Sequence, residues 1–283
     1  MKKLLERFLI FFIGLPLLIC LVLLLPYKNH IALNSIVVLF TALGSVEFAE
    51  MLKKKNYPIT RLEGGILGTL APLGMTIVVS FGGHFLVVPA LFILGVSWPL
   101  ISRIFSPSGK VPDILFFILA AFAVLIYPGI FMLWIIRMAL LPQASMVILI
   151  FLLMVIADDS AAWAVGILFG GGNRNIIPVS PNKSIAGFIG GLTASVIVGV
   201  GAALLIPQAF NAQLIPAIPS GIILGLLSGI VAALGDLAES ALKRSSNIKD
   251  SGDIVPGRGG ILDSIDSIAM AAPVYYGLYR LLF

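Results

Sequence analysis

The chain has 283 residues, of which 59% are hydrophobic and 11% charged, with a mean hydropathy of +1.11. A soluble domain carries about 25% charged residues, so the composition excludes a soluble globular protein and predicts an all-α, polytopic integral membrane protein. The net charge of +5 is distributed as membrane topology distributes it, which argues against nucleic acid as a partner, and the lone Cys20 excludes a disulfide framework or a cysteine metal cluster.

Apolar runs long enough to cross a bilayer predict nine transmembrane helices, at 7–26, 31–52, 64–81, 84–105, 112–138, 144–168, 184–206, 216–242 and 263–282. The start MKKLLER followed by an apolar run has the look of a signal peptide. The run ends in LLLPYKNH, not in a small-residue cleavage site, so a retained first helix is expected. The third span is short and carries Gly65, Gly68, Pro72 and Gly74. The fifth contains Pro128-Gly129 and either kinks or splits; a split would invert every later segment.

Charge decides between these. With a cytoplasmic N-terminus, one set of loops holds Lys2, Lys3, Arg7, Lys53, Lys54, Lys55, Arg61, Arg103, Lys110, Arg174, Lys183, Lys243, Arg244, Lys249 and Arg258. The other holds only Lys28, Arg137 and Arg280. That bias favours nine spans with the N-terminus inside and the C-terminus outside. His30 and His84 then fall in outer loops. A histidine base is unavailable on the charged face, whereas phosphoryl-type chemistry proceeds by positioning and charge neutralisation. Glu47 and Glu50 are expected to partner Lys53–Lys55. The chain reads as an apolar N-terminal half, 1–140, and a C-terminal half, 141–283, that carries the unusual polar groups.

Three constellations stand out in that second half. Asp158-Asp159-Ser160 interrupts an apolar run, with Trp163 one turn after Asp159; adjacent carboxylates diverge on a helix, so at most one faces a site. Downstream, Ser180, Asn182 and Lys183 precede the seventh span, where Lys183 reads equally as a phosphate contact or as a solvated topological lysine. In the eighth span Asp236, Glu239, Ser240, Lys243 and Arg244 share one helical face. They are either an ion-pair ladder with snorkelling basic residues or a carboxylate wall for a divalent cation beside a phosphate clamp.

The stretch SALKRSSNIKDSGDIVPGRGGILDSID (240–266) adds Lys249, Asp250, Arg258, Gly259, Gly260, Asp263 and Asp266. Its glycines allow a backbone to approach a phosphate, or simply make a tight turn. Asp263 and Asp266 share a face at the start of the ninth span; capping accounts for one and not for both. Ionisable groups near membrane depth are functional candidates by default, and the set reads as a site for a phosphate-bearing substrate and metal ions at the membrane surface.

The segment 240–266 resembles the signature of the phosphatidate cytidylyltransferases (CDP-diacylglycerol synthases), S-x-x-K-R, four residues, K-D, then P-G-H-G-G-x-x-D-R-x-D. Ser240, Lys243, Arg244, Lys249, Asp250, Pro256, Gly257, Gly259, Gly260, Asp263 and Asp266 stand at its spacing. Gly235-Asp236 and Glu239-Ser240 resemble the family's G-D-x-x-E-S lead-in. Asp159, Trp163, Gly166 and Phe169-Gly170 resemble its D-x-x-A-Y-x-x-G-x-x-F-G stretch, and Ser180 to Ser184 with Gly187 resembles S-P-K-K-T-x-E-G. The departures are Arg258 for the signature His, Ser264 for the Arg of D-R-x-D, and Ala186 for Glu.

The resemblance implies conversion of CTP and phosphatidic acid into CDP-diacylglycerol and pyrophosphate, on the cytoplasmic face of the inner (plasma) membrane. Asp236, Asp263, Lys243, Arg244, Lys249 and Asp250 are then expected in catalysis. Lys183, Ser180, Asn182, Ser240, Arg258, Gly259, Gly260 and Asp159 are expected at substrate. Mg2+ is expected on Asp236, Asp263, Glu239 and Asp266, with room for a second cation. Partners are CTP, phosphatidic acid and the lipid bilayer, with no nucleic acid; a homodimer stays open. Two alternatives also stay open: a cytidylyltransferase for an ether or prenyl lipid phosphate, and an ion-coupled membrane transporter, which accounts for Asp158, Asp159 and Asp236 but not for the Lys/Arg-rich loop.

Overall fold

The computed structural model describes residues 10–104, 113–210 and 215–283. Lys2, Lys3, Arg7 and Lys110, the start of the first predicted span and part of the loop 207–215 lie outside the described residues. Among the described residues the chain is helical, with two isolated β-bridges and no strand. The helices are α1 (Leu15–Leu24), α2 (Tyr27–Lys54), α3 (Arg61–Phe81), α4 (Val87–Ile104), α5 (Ile114–Val124), α6 (Phe131–Met138), α7 (Ala144–Phe169), α8 (Ile185–Leu205), α9 (Ala217–Ser245) and α10 (Leu262–Leu282). Among these residues seven helical stretches are long and apolar enough to cross a membrane by length and composition, α5 and α6 counting as one. The protein is therefore a polytopic all-α membrane protein, and each predicted span contains a helix.

The fifth span is not split. A π-helical turn, Leu125–Ile130, joins α5 to α6 and contains Pro128. A wider turn accommodates a residue that lacks an N–H and whose ring crowds the preceding turn. Gly129 follows it because a Cβ there would lie 2.9 Å from the carbonyl oxygen of Gly68 in α3.

The chain forms two compact units, Met1–Ala139 with Ser245–Ile265, and Leu140–Arg244 with Asp266–Phe283. In the first unit α2 and α3 pack closely, with Gly64 and Gly68 of α3 placed where a Cβ would strike Ala49 and Ser45 of α2. At one end of this pair Asn29 Nδ2 donates to Val79 O (2.7 Å) and Asn34 Nδ2 to Ser80 Oγ (3.0 Å). Lys28, Asn29 and His30 take left-handed conformations there (φ 46, 52 and 61°). His30 sits in the turn that starts α2 and is buried. At the other end Thr60 and Glu63 form a reciprocal cap on α3. Arg103 of α4 donates to Pro58 O (2.7 Å) and lies 3.9 Å from the Phe117 ring centroid.

In the second unit α8 meets α9 along small residues. Ser195 Oγ donates to Gly225 O at 2.8 Å, and a Cβ on Gly199 or Gly221 would collide with the other's carbonyl. Small residues four apart let helix backbones approach in lipid, where apolar side chains gain nothing by leaving the acyl chains. Tyr275 and Tyr279 of α10 donate to Val147 O (3.2 Å) and Ala209 O (2.7 Å).

Candidate active site

In the second unit the polar residues of α7, the loop before α8, α9 and α10 converge. Lys183 Nζ lies 2.7 Å from Asp236 Oδ2, with both side chains partly open to solvent. Lys183 is held there by local structure: its N–H donates to Ser180 O (3.1 Å), Asn175 N donates to Pro181 O (3.0 Å), and a bridge joins Arg174 to Ser184. Ser184 then caps α8 by accepting from Gly187 N at 3.0 Å. Ser180 is half-buried and Asn182 exposed on the same loop.

The five residues assigned to one face of α9 divide by depth. Glu239 is 0% exposed and pairs with Lys243 one turn later. Ser240 is buried, Asp236 half-buried and Arg244 exposed near the helix end. Of the adjacent aspartates, Asp159 accepts a hydrogen bond from Ser267 Oγ of α10 at 3.1 Å. Asp158 is 3% exposed and turns toward the glycine seam, where a Cβ on Gly191 or Gly229 would meet its Oδ1 at 2.9 or 3.0 Å. Among the described residues that oxygen has no hydrogen-bond partner. Asp266 is buried and accepts from Ser267 N at 2.6 Å; Asp236, Asp159 and Glu239 lie within electrostatic reach of it.

Three helices thus bring Asp158, Asp159, Asp236, Glu239 and Asp266 together around Lys183 and Lys243. Excess buried carboxylate is costly without compensating cations. The donors are all hard oxygens, which suits Mg2+. Among the described residues, however, no three acidic or histidine side chains are gathered as a ready set of metal ligands.

In the first unit the loop 246–261 is built around Asp263 of the first turn of α10. Its Oδ2 accepts from Ser251 N (2.9 Å), Ser251 Oγ (2.9 Å) and Gly260 N (2.8 Å). Val255 and Gly259 exchange backbone bonds across a tight turn (2.7 and 3.0 Å). Gly257 and Gly259 have φ of 71° and 115°, which a side chain would strain. Lys249, Asp250 and Arg258 are exposed on this loop, and Ser264 Oγ donates to Gly260 O at 3.1 Å.

Glu47 and Glu50 do not take the partners expected of them. Glu50 pairs with Arg61 and not with Lys53–Lys55, and Glu47 does not serve those lysines either. It is buried and accepts from Ser251 Oγ, Ile261 N and Leu262 N at 2.9, 3.0 and 2.8 Å. Glu47 and Ser251 are more than 200 positions apart, so no local pattern joins them. The only signal in the sequence was a carboxylate inside an apolar helix.

Comparison with known proteins adds a family to this geometry. Residues 5–282 match the model of the Cytidylyltransferase family. The chain is similar to phosphatidate cytidylyltransferase of Bacillus subtilis, 33% identical over 259 residues, covering 86% of this chain and 88% of that protein. It is 40% identical over 127 residues to phosphatidate cytidylyltransferase of Synechocystis sp., covering 44% of this chain and 41% of that protein. With phosphatidate cytidylyltransferase of Haemophilus influenzae it shares 37% identity over 142 residues, 49% of this chain and 47% of that protein. The matched stretch therefore spans less than half of the Synechocystis and Haemophilus proteins and most of the Bacillus protein.

Proposed function

The chain belongs to the cytidylyltransferase family, and from that premise we propose that it converts CTP and phosphatidic acid into CDP-diacylglycerol and pyrophosphate. The observation that carries the reading is the pairing of Lys183 with Asp236 at 2.7 Å inside a carboxylate-rich cluster. A cationic side chain already stands where an anionic substrate and its counter-ion would meet. An ion-coupled transporter needs the carboxylates but not the exposed Lys249 and Arg258 of the 245–265 loop.

In the reaction an oxygen of the phosphatidate phosphate attacks the α-phosphorus of CTP. A P–O bond forms to the lipid phosphate, the bond from the α-phosphorus to the bridging oxygen breaks, and pyrophosphate leaves with that electron pair. The nucleophile is already anionic, so no protein base is required, and catalysis rests on orientation and on neutralising the phosphates. Lys183 and Lys243 contribute positive charge from the carboxylate cluster. Arg244 contributes it from the end of α9; within the first unit, Lys249 and Arg258 are exposed cations on a loop whose backbone turns at Gly257 and Gly259. Two of the carboxylates, Asp236 and Asp266, would hold Mg2+, which when bound would supply Lewis-acid neutralisation of phosphate oxygens. The charge bias of the loops supports a cytoplasmic N-terminus and a site facing the cytoplasm of a bacterial inner membrane, where CTP is present and the lipid arrives laterally.

The test is pyrophosphate release by purified protein given CTP, Mg2+ and phosphatidic acid, each omitted in turn. Release should require all three. Release without phosphatidic acid, or none with the full mixture, would overturn the reading.

A further inference from the structure

We propose that Glu47 is a positioning residue for the transfer reaction: a carboxylate supplied by α2 that caps the start of α10 and fixes the loop bearing Lys249, Asp250, Arg258 and Asp263. The catalytic part of this inference rests on the cytidylyltransfer reading; the tether itself rests on geometry alone.

The first N–H groups of a helix have no partner within the helix, and a side chain just before the helix ordinarily accepts from them. At the start of α10 the acceptor comes from 214 positions away. Glu47 Oε1 takes the N–H of Ile261 at 3.0 Å and Oε2 that of Leu262 at 2.8 Å. A carboxylate at the positive end of a helix dipole is favourably placed, and Glu47, 6% exposed, makes that interaction away from bulk water. The surrounding loop is shaped to receive it. A Cβ on Gly252 or Gly260 would collide with the Glu47 carboxylate, so both positions leave room for this side chain.

The tether also reaches Asp263. Ser251 Oγ lies 2.9 Å from Glu47 Oε2 and 2.9 Å from Asp263 Oδ2. A hydroxyl has one proton to donate, so the two carboxylates share a single donor and are coupled through it. Glu47 therefore acts through Ser251, Ile261 and Leu262, setting where Asp263 and the basic residues of the loop stand.

The experiment compares purified wild type, E47Q, E47A, S251A and E47Q/S251A, using kcat and KM for CTP together with amide hydrogen exchange. Misplacing reacting groups by about 1 Å costs about 100-fold in rate; E47A is expected to lose about that much in kcat/KM for CTP. E47Q, which keeps one carbonyl oxygen, should lose about tenfold. The S251A change should add less than about twofold in the E47Q background, because both act on one relay. Exchange at Ile261 and Leu262 should rise more than about tenfold in E47A while amides of α3 and α4 stay protected. Wild-type kcat/KM in E47Q and E47A, or exchange rising equally throughout α2–α4, would overturn the proposal. If wild type makes no CDP-diacylglycerol, the reaction assignment fails and the positioning role with it. The exchange measurement separates that failure from loss of the tether.

Discussion

Asp263 is the residue for which two roles can be pulled apart. Its Oδ2 accepts from Ser251 N and Gly260 N and shares the single Ser251 Oγ proton with Glu47. Asp263→Ala removes the two backbone bonds and leaves the Ser251 hydroxyl to Glu47. The loop is partly exposed and water replaces part of each bond, so a net value of about 1 kcal/mol per bond is appropriate, about 2 kcal/mol in all. That raises the open population of the loop about 30-fold. Asp263→Asn keeps a neutral carbonyl oxygen with two lone pairs, and neutral acceptors bind about half as strongly as charged ones. The expected cost is about 1 kcal/mol, or about fivefold. Limited trypsin digestion reads this directly, because Arg258 is exposed in the loop and cleavage of a transiently opened segment tracks its open population. Cleavage after Arg258 should accelerate strongly in the Ala variant and modestly in the Asn variant. CDP-diacylglycerol formation should fall in both variants if Asp263 also carries a cation, and in proportion to loop opening if it does not. Equal cleavage rates in wild type and Asp263→Ala would refute the loop-holding argument.

Lys183→Ala should lower kcat about 100- to 1,000-fold, the usual cost of deleting a fixed charge-stabilising group, measured as CDP-diacylglycerol formation in detergent. Lys183→Arg should not restore it, since a planar fork does not substitute for a compact ammonium 2.7 Å from Asp236. Gly225→Leu should lower the thermal midpoint of detergent-purified protein clearly. Its Cβ would lie 2.6 Å from Ser195 O, and overpacking a rigid contact typically costs about 1–3 kcal/mol. EDTA should stop turnover and Mg2+ should restore it; undiminished turnover in EDTA would remove the cation from the reading.

The helical framework was legible because each span is a long apolar run, a property of local sequence. The Asp236–Lys243 face was legible for the same reason: residues three and four apart on a helix are neighbours whatever surrounds them. Depth was not legible. Helical spacing puts Glu239 and Arg244 on one face, yet Glu239 is fully buried and Arg244 exposed, because α9 leaves its packed surroundings between them. Pro128-Gly129 could be read as a kink or as a split; Gly68 on α3 decides it by accepting close approach of the π-helical turn. Lys183 was ambiguous until the 170–184 loop placed it against Asp236. Glu47 was misread because lysines follow it in sequence, whereas its partners come from the far end of the chain.

The contact between α8 and α9 has an evolutionary consequence. Gly199, Gly221 and Gly225 stand where one added carbon meets backbone, and Ser195 Oγ is bonded to Gly225 O. On the other side of α8, Ile189, Ile197 and Leu204 are 60%, 65% and 61% exposed. Mutations in this helix should therefore be either nearly silent or severe, with little between. Over time the outward positions should drift freely among apolar residues, while the inward ones stay frozen at the smallest sizes. A deep mutational scan would show this as two interleaved stripes on a single helix, one with no memory and one with no tolerance.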